Sequence, residues 1–343
     1  MGKPVKVKKN NYNSINIIAV IACLGVIVVI LTVLFASYIL DKTSRPTDNQ
    51  SDAESSVSEI SDESNDISDQ SADISQEENS ADTSGEISNE VSQPENFIYV
   101  TLDEKDIRRG DLIIVNNDKQ YDFSQDTPLV NIYDHRSKNY KLSDSNLLIS
   151  ERIMTELNSM LDGLYEATNS TALTITAAFR TKKDQQEFYD NGKDTAVGGG
   201  SDLHTGLSFR CTVYPSSEGS LTEGKFLWLA ENCRSYGFVL RYPQGKESLT
   251  GYSASPSFFR YVGKPHAYLM TLNDYSLEEY VDFVKRFSFE NQYRVTHEGV
   301  SYAIYYCPAA ASGQTQVKIP EGAEYTVSGD NSSGFIITAI INS

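Results

Sequence analysis

The chain has few residues of the types that hold transition metals in proteins. Its 343 residues include four histidines and four cysteines. No two of the histidines have the spacing of a paired metal-binding motif; they are His135, His204, His266 and His297. The sequence therefore does not predict a metal centre built on a histidine or cysteine motif.

One long segment lacks positive charge altogether. Residues 46–96 contain fifteen aspartates and glutamates and no lysine or arginine, so they supply −15 of the formal net charge of −18. The segment also lacks aromatic residues, and this composition predicts a disordered, self-repelling stalk, which we place at residues 41–96. The acidity of the chain thus describes the stalk rather than the folded part, and we predict no nucleic-acid partner.

A stretch without any charge precedes the stalk. Residues 17–40 are 24 uncharged residues, about 36 Å of helix, which is enough to cross a bilayer core. Lysines are frequent in residues 1–16 and no comparable basic cluster follows residue 40, so we predict a cytoplasmic tail and an extracytoplasmic folded part. A cleaved signal peptide is the weaker alternative because the apolar run is too long. The sequence predicts a single-pass cell-membrane protein anchored by residues 17–40.

Residues 97–290 mix helices and strands without regular alternation. We predict strands at residues 97–101, 111–117 and 173–177. We predict helices from Ser150 as N-cap, from Lys182 with Thr181 as N-cap, and over residues 226–235. The first helix carries an apolar stripe of Ile153, Leu157, Met160, Leu161 and Leu164. This order predicts an α+β fold, an antiparallel sheet with flanking helices.

Residues 291–343 read as strands and turns only. We predict short strands at residues 293–296, 302–307, 317–319, 325–328 and 335–341, with turns at 297–299 and 330–334. About fifty residues in such strands are marginal alone, so we expect a small C-terminal all-β module that packs on the preceding domain.

Two segments give the chain its resemblance to a known family. They are Ser201-Asp202-Leu203-His204-Thr205-Gly206-Leu207-Ser208-Phe209-Arg210 and Ser255-Pro256-Ser257-Phe258-Phe259-Arg260-Tyr261-Val262-Gly263. With Arg180 and Gln185 upstream and Arg241-Tyr242-Pro243 between them, they resemble the zinc D-alanyl-D-alanine carboxypeptidases of the VanY type. The resemblance covers roughly residues 111–287 and implies the same α+β fold.

The resemblance also implies where the family's reactive residues would lie. The family pattern S-x-H-x-x-G-x-A-x-D supplies two zinc ligands, and E-P-W-H supplies the general base and the third ligand. These positions hold Leu203, Arg210, Ser255 and Phe258 in this chain. Leucine, arginine and phenylalanine donate no lone pair to a metal, and an unpartnered serine is a poor general base. We therefore expect no metal ligand, no catalytic residue and no bound cofactor here.

The positions that would hold a substrate are retained. Arg180 corresponds to the family arginine aimed at the reacting carbonyl, and Gln185 and Ser201 match polar positions of the pocket. Arg210 would repel a divalent cation and, with Arg180, could bind a carboxylate. The alternative is that Arg210 pairs with an aspartate such as Asp202, while Leu203 and Phe258 fill the old pocket.

These observations leave three functions open. The first is an inactive pseudo-peptidase that binds peptidoglycan stem peptides or regulates cell-wall remodelling. The second is an active D-Ala-D-Ala metallocarboxypeptidase with atypical ligands such as His204 and Cys211, which are seven residues apart. The third is a structural module of the envelope with a protein partner. We also hypothesise a disulfide between Cys211 and Cys233.

Overall fold

The computed structural model describes residues 96–124 and 126–341. The predicted tail and membrane helix, residues 1–40, and the stalk through residue 95 lie outside the described residues. Within the described ranges, no helix is both long enough and apolar enough to span a bilayer.

The described residues contain thirteen strands and seven α-helices. The strands are β1 (Phe97–Leu102), β2 (Leu129–Asn131), β3 (Lys141–Leu142), β4 (Leu148–Ser150), β5 (Leu173–Ala177), β6 (Ser208–Val213), β7 (Phe238–Tyr242), β8 (Ser255–Tyr261), β9 (Tyr293–His297), β10 (Val300–Pro308), β11 (Thr315–Pro320), β12 (Tyr325–Gly329) and β13 (Gly334–Ile340). The α-helices are α1 (Ile132–His135), α2 (Met154–Thr168), α3 (Lys182–Asp190), α4 (Trp228–Asn232), α5 (Glu247–Thr250), α6 (Lys264–Leu272) and α7 (Leu277–Val284).

A five-stranded sheet forms the centre of the fold. Its strand order is β3-β5-β6-β8-β7, and every pairing is antiparallel except that of β3 with β5. The predicted α+β class with a mainly antiparallel sheet is therefore confirmed for the described residues. The predicted strand at residues 173–177 is β5, with the same bounds.

Helix α2 packs on this sheet through the predicted apolar stripe. Its residues Leu157, Leu161 and Leu164 are buried in one core with Ile175 and Phe209 of the sheet. The start of the helix differs from the prediction. Ser150 makes no capping hydrogen bond, and a 3₁₀ turn at Glu151–Ile153 precedes α2. The predicted helix at 226–235 is likewise α4 flanked by 3₁₀ turns.

The predicted strand at residues 111–117 is wrong. Side chains, rather than a neighbouring strand, bond its backbone. Arg260 donates to the carbonyl oxygens of Asp111 and Ile113, at 2.9 and 3.3 Å. The Ser328 hydroxyl accepts from the Leu112 N–H at 2.9 Å. These buried apolar residues therefore read as a strand in sequence but form an irregular segment that side chains stabilise.

The C-terminal residues form a four-stranded antiparallel sheet. Its order is β12-β13-β10-β9, and the turn between β9 and β10 has Glu298 and Gly299 in the left-handed region, as a tight hairpin requires. Ile304 and Ile336 share a buried core with Leu269 and Val281 of the preceding helices. Strand β1 pairs with β11, so the predicted domain boundary at residue 290 is crossed by strand pairing and stays a prediction.

Helix α3 carries Gln185 of the candidate site and begins at the predicted N-cap. The Thr181 hydroxyl accepts from the Asp184 N–H at 3.2 Å. We expect Thr181→Ala to lower the free energy of unfolding by about 1 kcal/mol, because the substitution leaves an N–H of the first helical turn without its acceptor. Urea denaturation followed by Trp228 fluorescence measures this change. Thr181→Ser is the matched control, and an equal loss in both variants would contradict a capping role.

Candidate functional site

A row of three residues across the central sheet marks the site. Ala177 of β5 pairs with Arg210 of β6, and Arg210 pairs with Phe258 of β8. A β-bulge lies in β5 between Ile175 and Ala177, and such bulges redirect side chains at the ends of strands. The sheet thus places two of the family's predicted ligand positions, Arg210 and Phe258, side by side.

An apolar cluster occupies the floor of the site. Leu203 and Phe258 are fully buried there with Tyr242, Tyr252 and Ala196. The Tyr242 and Phe258 rings meet edge to face, with their centroids 4.9 Å apart. The burial of Leu203 and Phe258 in one apolar cluster agrees with the filling of the pocket that one alternative predicted, whereas the Arg210–Asp202 pair of the same alternative is not formed.

Asp194 lies between the two arginines of the site. Arg180 donates to the Asp194 carboxylate at 3.2 Å, and an Arg210 Nη atom lies 4.0 Å from the same oxygen. The other carboxylate oxygen accepts from the backbone N–H groups of Thr195 and Ala196. Asp194 is thus a fixed anion, and nothing in the sequence pattern of its loop predicts this role.

One of the two sequence-based alternatives paired Arg210 with an aspartate such as Asp202. The structure does not contain that pair. Asp202 is fully buried and accepts from Arg260 at 2.7 Å and from Arg241 at 3.2 Å. Burial by itself would raise the pKa of Asp202, but Arg260, Arg241 and the Ser208 hydroxyl hold it below its ordinary value. The carboxylate is therefore ionised, and Arg241 and Arg260 neutralise its charge.

Arg241 links this buried aspartate to helix α7. Its guanidinium donates two bonds to the Glu278 carboxylate, at 2.7 and 3.1 Å, a paired geometry that fixes both groups. Arg260 continues the network to the irregular segment at residues 111–113. The four charges balance, and they join the central sheet to the helices and loops behind the site.

Two predicted pocket residues make hydrogen bonds within the protein. The Gln185 side chain is buried; its oxygen accepts from Arg180 at 2.7 Å and its nitrogen donates to the Ala196 carbonyl at 2.7 Å. The buried Ser201 hydroxyl accepts from the Leu203 N–H at 3.4 Å and caps the 3₁₀ turn of the motif. The structure brings Arg180, Gln185 and Arg210 together around Asp194. The Ser201 hydroxyl bonds the Leu203 N–H instead, and the predicted binding roles of all four residues stay predictions.

His204 has a structural environment. Its Nε2 accepts from the Gly199 N–H at 3.0 Å, so its Nδ1–H donates to the Arg180 carbonyl at 2.6 Å. Burial lowers the pKa of His204. Both ring nitrogens thus form hydrogen bonds with backbone groups. Through its bond to the Arg180 carbonyl, the imidazole positions Arg180, one of the two arginines of the site.

Cys211, Cys233 and Cys307, the cysteines of the described residues, are free thiols. Cys211 and Cys233 are both buried in the core under helix α2, and no bridge joins them. The hypothesised disulfide is therefore wrong for this structure. Burial raises the pKa of the Cys233 thiol to about 12, so the thiol is protonated at neutral pH and neither a nucleophile nor a ready metal ligand.

The residues at the candidate site do not fit a zinc ion. Leu203 and Phe258 offer no donor atom, and Arg210 brings a positive charge to within 4.8 Å of the Phe258 ring. Ser255, at the predicted position of the base, has the Ser257 hydroxyl at 3.2 Å as its hydrogen-bond partner. Across residues 96–124 and 126–341, no group of three or more His, Cys, Asp or Glu is placed to hold a metal ion.

Comparison with known proteins agrees with the sequence resemblance. The family model of VanY, D-alanyl-D-alanine carboxypeptidase, matches residues 146–264. The D-alanyl-D-alanine carboxypeptidase of Enterococcus faecium is 31% identical over 249 residues, which cover 71% of this chain and 80% of that protein. The chain belongs to the VanY family. The bifunctional D-Ala-D-Ala dipeptidase and carboxypeptidase VanXYC of Enterococcus gallinarum is 30% identical over 128 residues, 33% of this chain and 67% of that protein.

A solved structure supports the same fold. The vancomycin-resistance D,D-dipeptidase VanXYg, in complex with a D-Ala-D-Ala phosphinate analogue, superposes with a TM-score of 0.62 at 25% identity. The match covers 72% of this chain and 100% of the VanXYg chain. The VanY-like architecture predicted from the two motifs is therefore confirmed.

Proposed function

We propose that this member of the VanY family is a catalytically inactive pseudo-peptidase that binds peptidoglycan stem peptides. The observation that carries the proposal is the replacement of donor atoms at the site. Leu203 and Phe258 are buried in an apolar cluster, and Arg210 is a cation beside them. Leu203, Arg210 and Phe258 offer no metal ligand, and Ser255 stands where the family has its carboxylate base, so these positions cannot activate a water molecule through a metal.

Retained polar groups support peptide binding. Arg180 and Arg210 flank Asp194 at the end of the sheet, and a pair of guanidiniums is suited to a carboxylate. The VanXYg structure contains a D-Ala-D-Ala phosphinate analogue, which favours a D-alanyl peptide as the ligand class. Residues 17–40 would hold this domain at the outer face of the cell membrane, close to peptidoglycan.

Three measurements on the full-length protein test the proposal. A synthetic peptide ending in D-alanyl-D-alanine is titrated by calorimetry, free D-alanine is assayed over the same period, and zinc is measured after addition of one equivalent and dialysis. We expect binding, no D-alanine above the protein-free rate and no retained zinc. The Enterococcus faecium carboxypeptidase is the positive control for release and zinc.

Two outcomes would contradict the proposal. About one retained zinc per chain together with D-alanine release would show an active metallocarboxypeptidase. Absence of binding would leave a structural module with a protein partner as the remaining function.

A further inference from the structure

The Arg210 guanidinium has hydrogen-bonding capacity that the described residues do not satisfy. Its side chain is 37% exposed, and its nearest carboxylate oxygen is 4.0 Å away, which is longer than a hydrogen bond. Its Nε is buried, and within the described residues it has no hydrogen-bond partner. The Phe258 ring beneath it, 4.8 Å from the guanidinium carbon, holds the group in place without using its N–H donors.

Arg180 differs from Arg210 in its exposure and in its hydrogen bonds. Its side chain is 11% exposed. It donates to Gln185 and Asp194, and its guanidinium carbon lies 4.0 Å from the centroid of the Phe188 ring. Arg180 is therefore fixed by the protein, whereas Arg210 is free to bind an external group beside it.

The site has one positive charge in excess. Two guanidiniums face the single carboxylate of Asp194, one of whose oxygens is already bound by backbone. Asp184 is bound by the Thr181 hydroxyl at 2.7 Å, and a further cation, Lys193, lies 5.5 Å from the Phe188 ring centroid, so the positive charge of the site is not removed. A ligand group with one negative charge and planar acceptor oxygens matches this arrangement.

We propose that Arg210 receives the free terminal carboxylate of a stem peptide that has already been shortened to a single terminal D-alanine. This inference rests on the proposed function. The sequence pattern puts Arg210 at a zinc-ligand position, so a carboxylate bound there lies where an active relative would hold the bond it cuts. A peptide that ends at this point is one residue shorter than the substrate of a carboxypeptidase.

Charge gives the expected selectivity. A hydrogen bond to a carboxylate is stronger than one to a neutral amide carbonyl by an amount that corresponds to about tenfold in affinity. The shortened acid is thus expected to bind about tenfold more tightly than its C-terminal amide. Its affinity is also expected to exceed that of the peptide ending in D-alanyl-D-alanine by a similar factor, because that peptide presents a neutral carbonyl at Arg210.

The test titrates three synthetic peptides into the full-length protein by calorimetry. They are a stem peptide ending in one D-alanine as the free acid, the same peptide as its C-terminal amide, and the peptide ending in D-alanyl-D-alanine. The same titrations are made with Arg210→Gln, with Arg210→Lys as the conservative variant and with the exposed Arg234→Gln as the matched control. Comparing acid with amide on the unmodified protein requires no substitution, so it stands even if a variant misfolds.

Each outcome bears on one proposal or on both. A tenfold preference for the shortened acid that is lost in Arg210→Gln, and kept in Arg210→Lys and Arg234→Gln, supports the inference. Equal binding of acid and amide, or a preference for the D-alanyl-D-alanine peptide, overturns the inference and leaves the proposed function intact. Failure of all three peptides to bind overturns both.

Discussion

Asp202→Asn is expected to lower the free energy of unfolding by about 3–5 kcal/mol, the range measured when one partner is removed from a buried ion pair. Asp202 is the carboxylate that Arg241 and Arg260 share in the interior. Without the Asp202 charge, Arg241 keeps only the Glu278 carboxylate, and Arg260 keeps only backbone carbonyl acceptors. The substitution keeps the shape of the side chain, so the loss measures charge rather than packing. Urea denaturation at pH 7, followed by Trp228 fluorescence, gives the change.

Asp282→Asn is the matched control for this substitution. Asp282 pairs with Lys285 at 3.4 Å, but its side chain is 75% exposed. The same change of charge there is expected to alter stability by no more than about 0.5 kcal/mol. A loss below about 1 kcal/mol for Asp202→Asn would mean that the buried network does not hold the central sheet to the elements behind it.

Stability is expected to fall by about 2 kcal/mol as the pH drops from 7 to 5, through the titration of His266. This residue is buried, with Nδ1 2.6 Å from the Tyr280 hydroxyl and Nε2 3.0 Å from that of Thr338. Burial lowers the pKa of His266 to about 3. Below about pH 6.5 the unfolded chain takes up a proton that the folded protein cannot accept, so acid favours unfolding.

The pH range in which stability falls distinguishes the titration of histidines from that of carboxylates. Buried carboxylates such as Asp202 and Asp330 have lowered pKa values, and their stabilisation is lost only below about pH 4. His204 also has a lowered pKa and adds to the slope in the same direction. His266→Gln should therefore flatten the dependence of unfolding free energy on pH between 7 and 5 without abolishing it. An unchanged slope in that variant would show that His266 is not the group that titrates.

The site combines the backbone register of the family's sheet with side chains that differ from the family pattern. The row from Ala177 through Arg210 to Phe258 has the register of a continuous sheet. Leu203 and Phe258 pack as core residues do, so their presence stabilises the same backbone that would carry metal ligands. The arginine in the row adds charge where a metal would have supplied it, which is the basis of the carboxylate proposal.

Much of the fold was predictable because helices, strands and turns depend mainly on residue patterns that are local in sequence. The spacing of Leu157, Leu161 and Leu164 specifies a helix that buries one face, and the structure buries those side chains. The hairpin at residues 297–299 and the strand at residues 173–177 were predictable from turn residues and β-branched runs. The segment at 111–117 was not, because its backbone partners are side chains distant in sequence, among them Arg260 and Ser328.

The sequence by itself determined the VanY family, the α+β class and the residues that stand at the family's three ligand positions and its base position, since each depends only on residue identity and spacing. Tertiary structure alone decided the partners of the charges. Asp194 rather than Asp202 lies beside Arg210, and Asp202 instead neutralises Arg241 and Arg260. The physical reason is that an ion pair depends on distance in space and on burial, and neither is specified by separation along the chain.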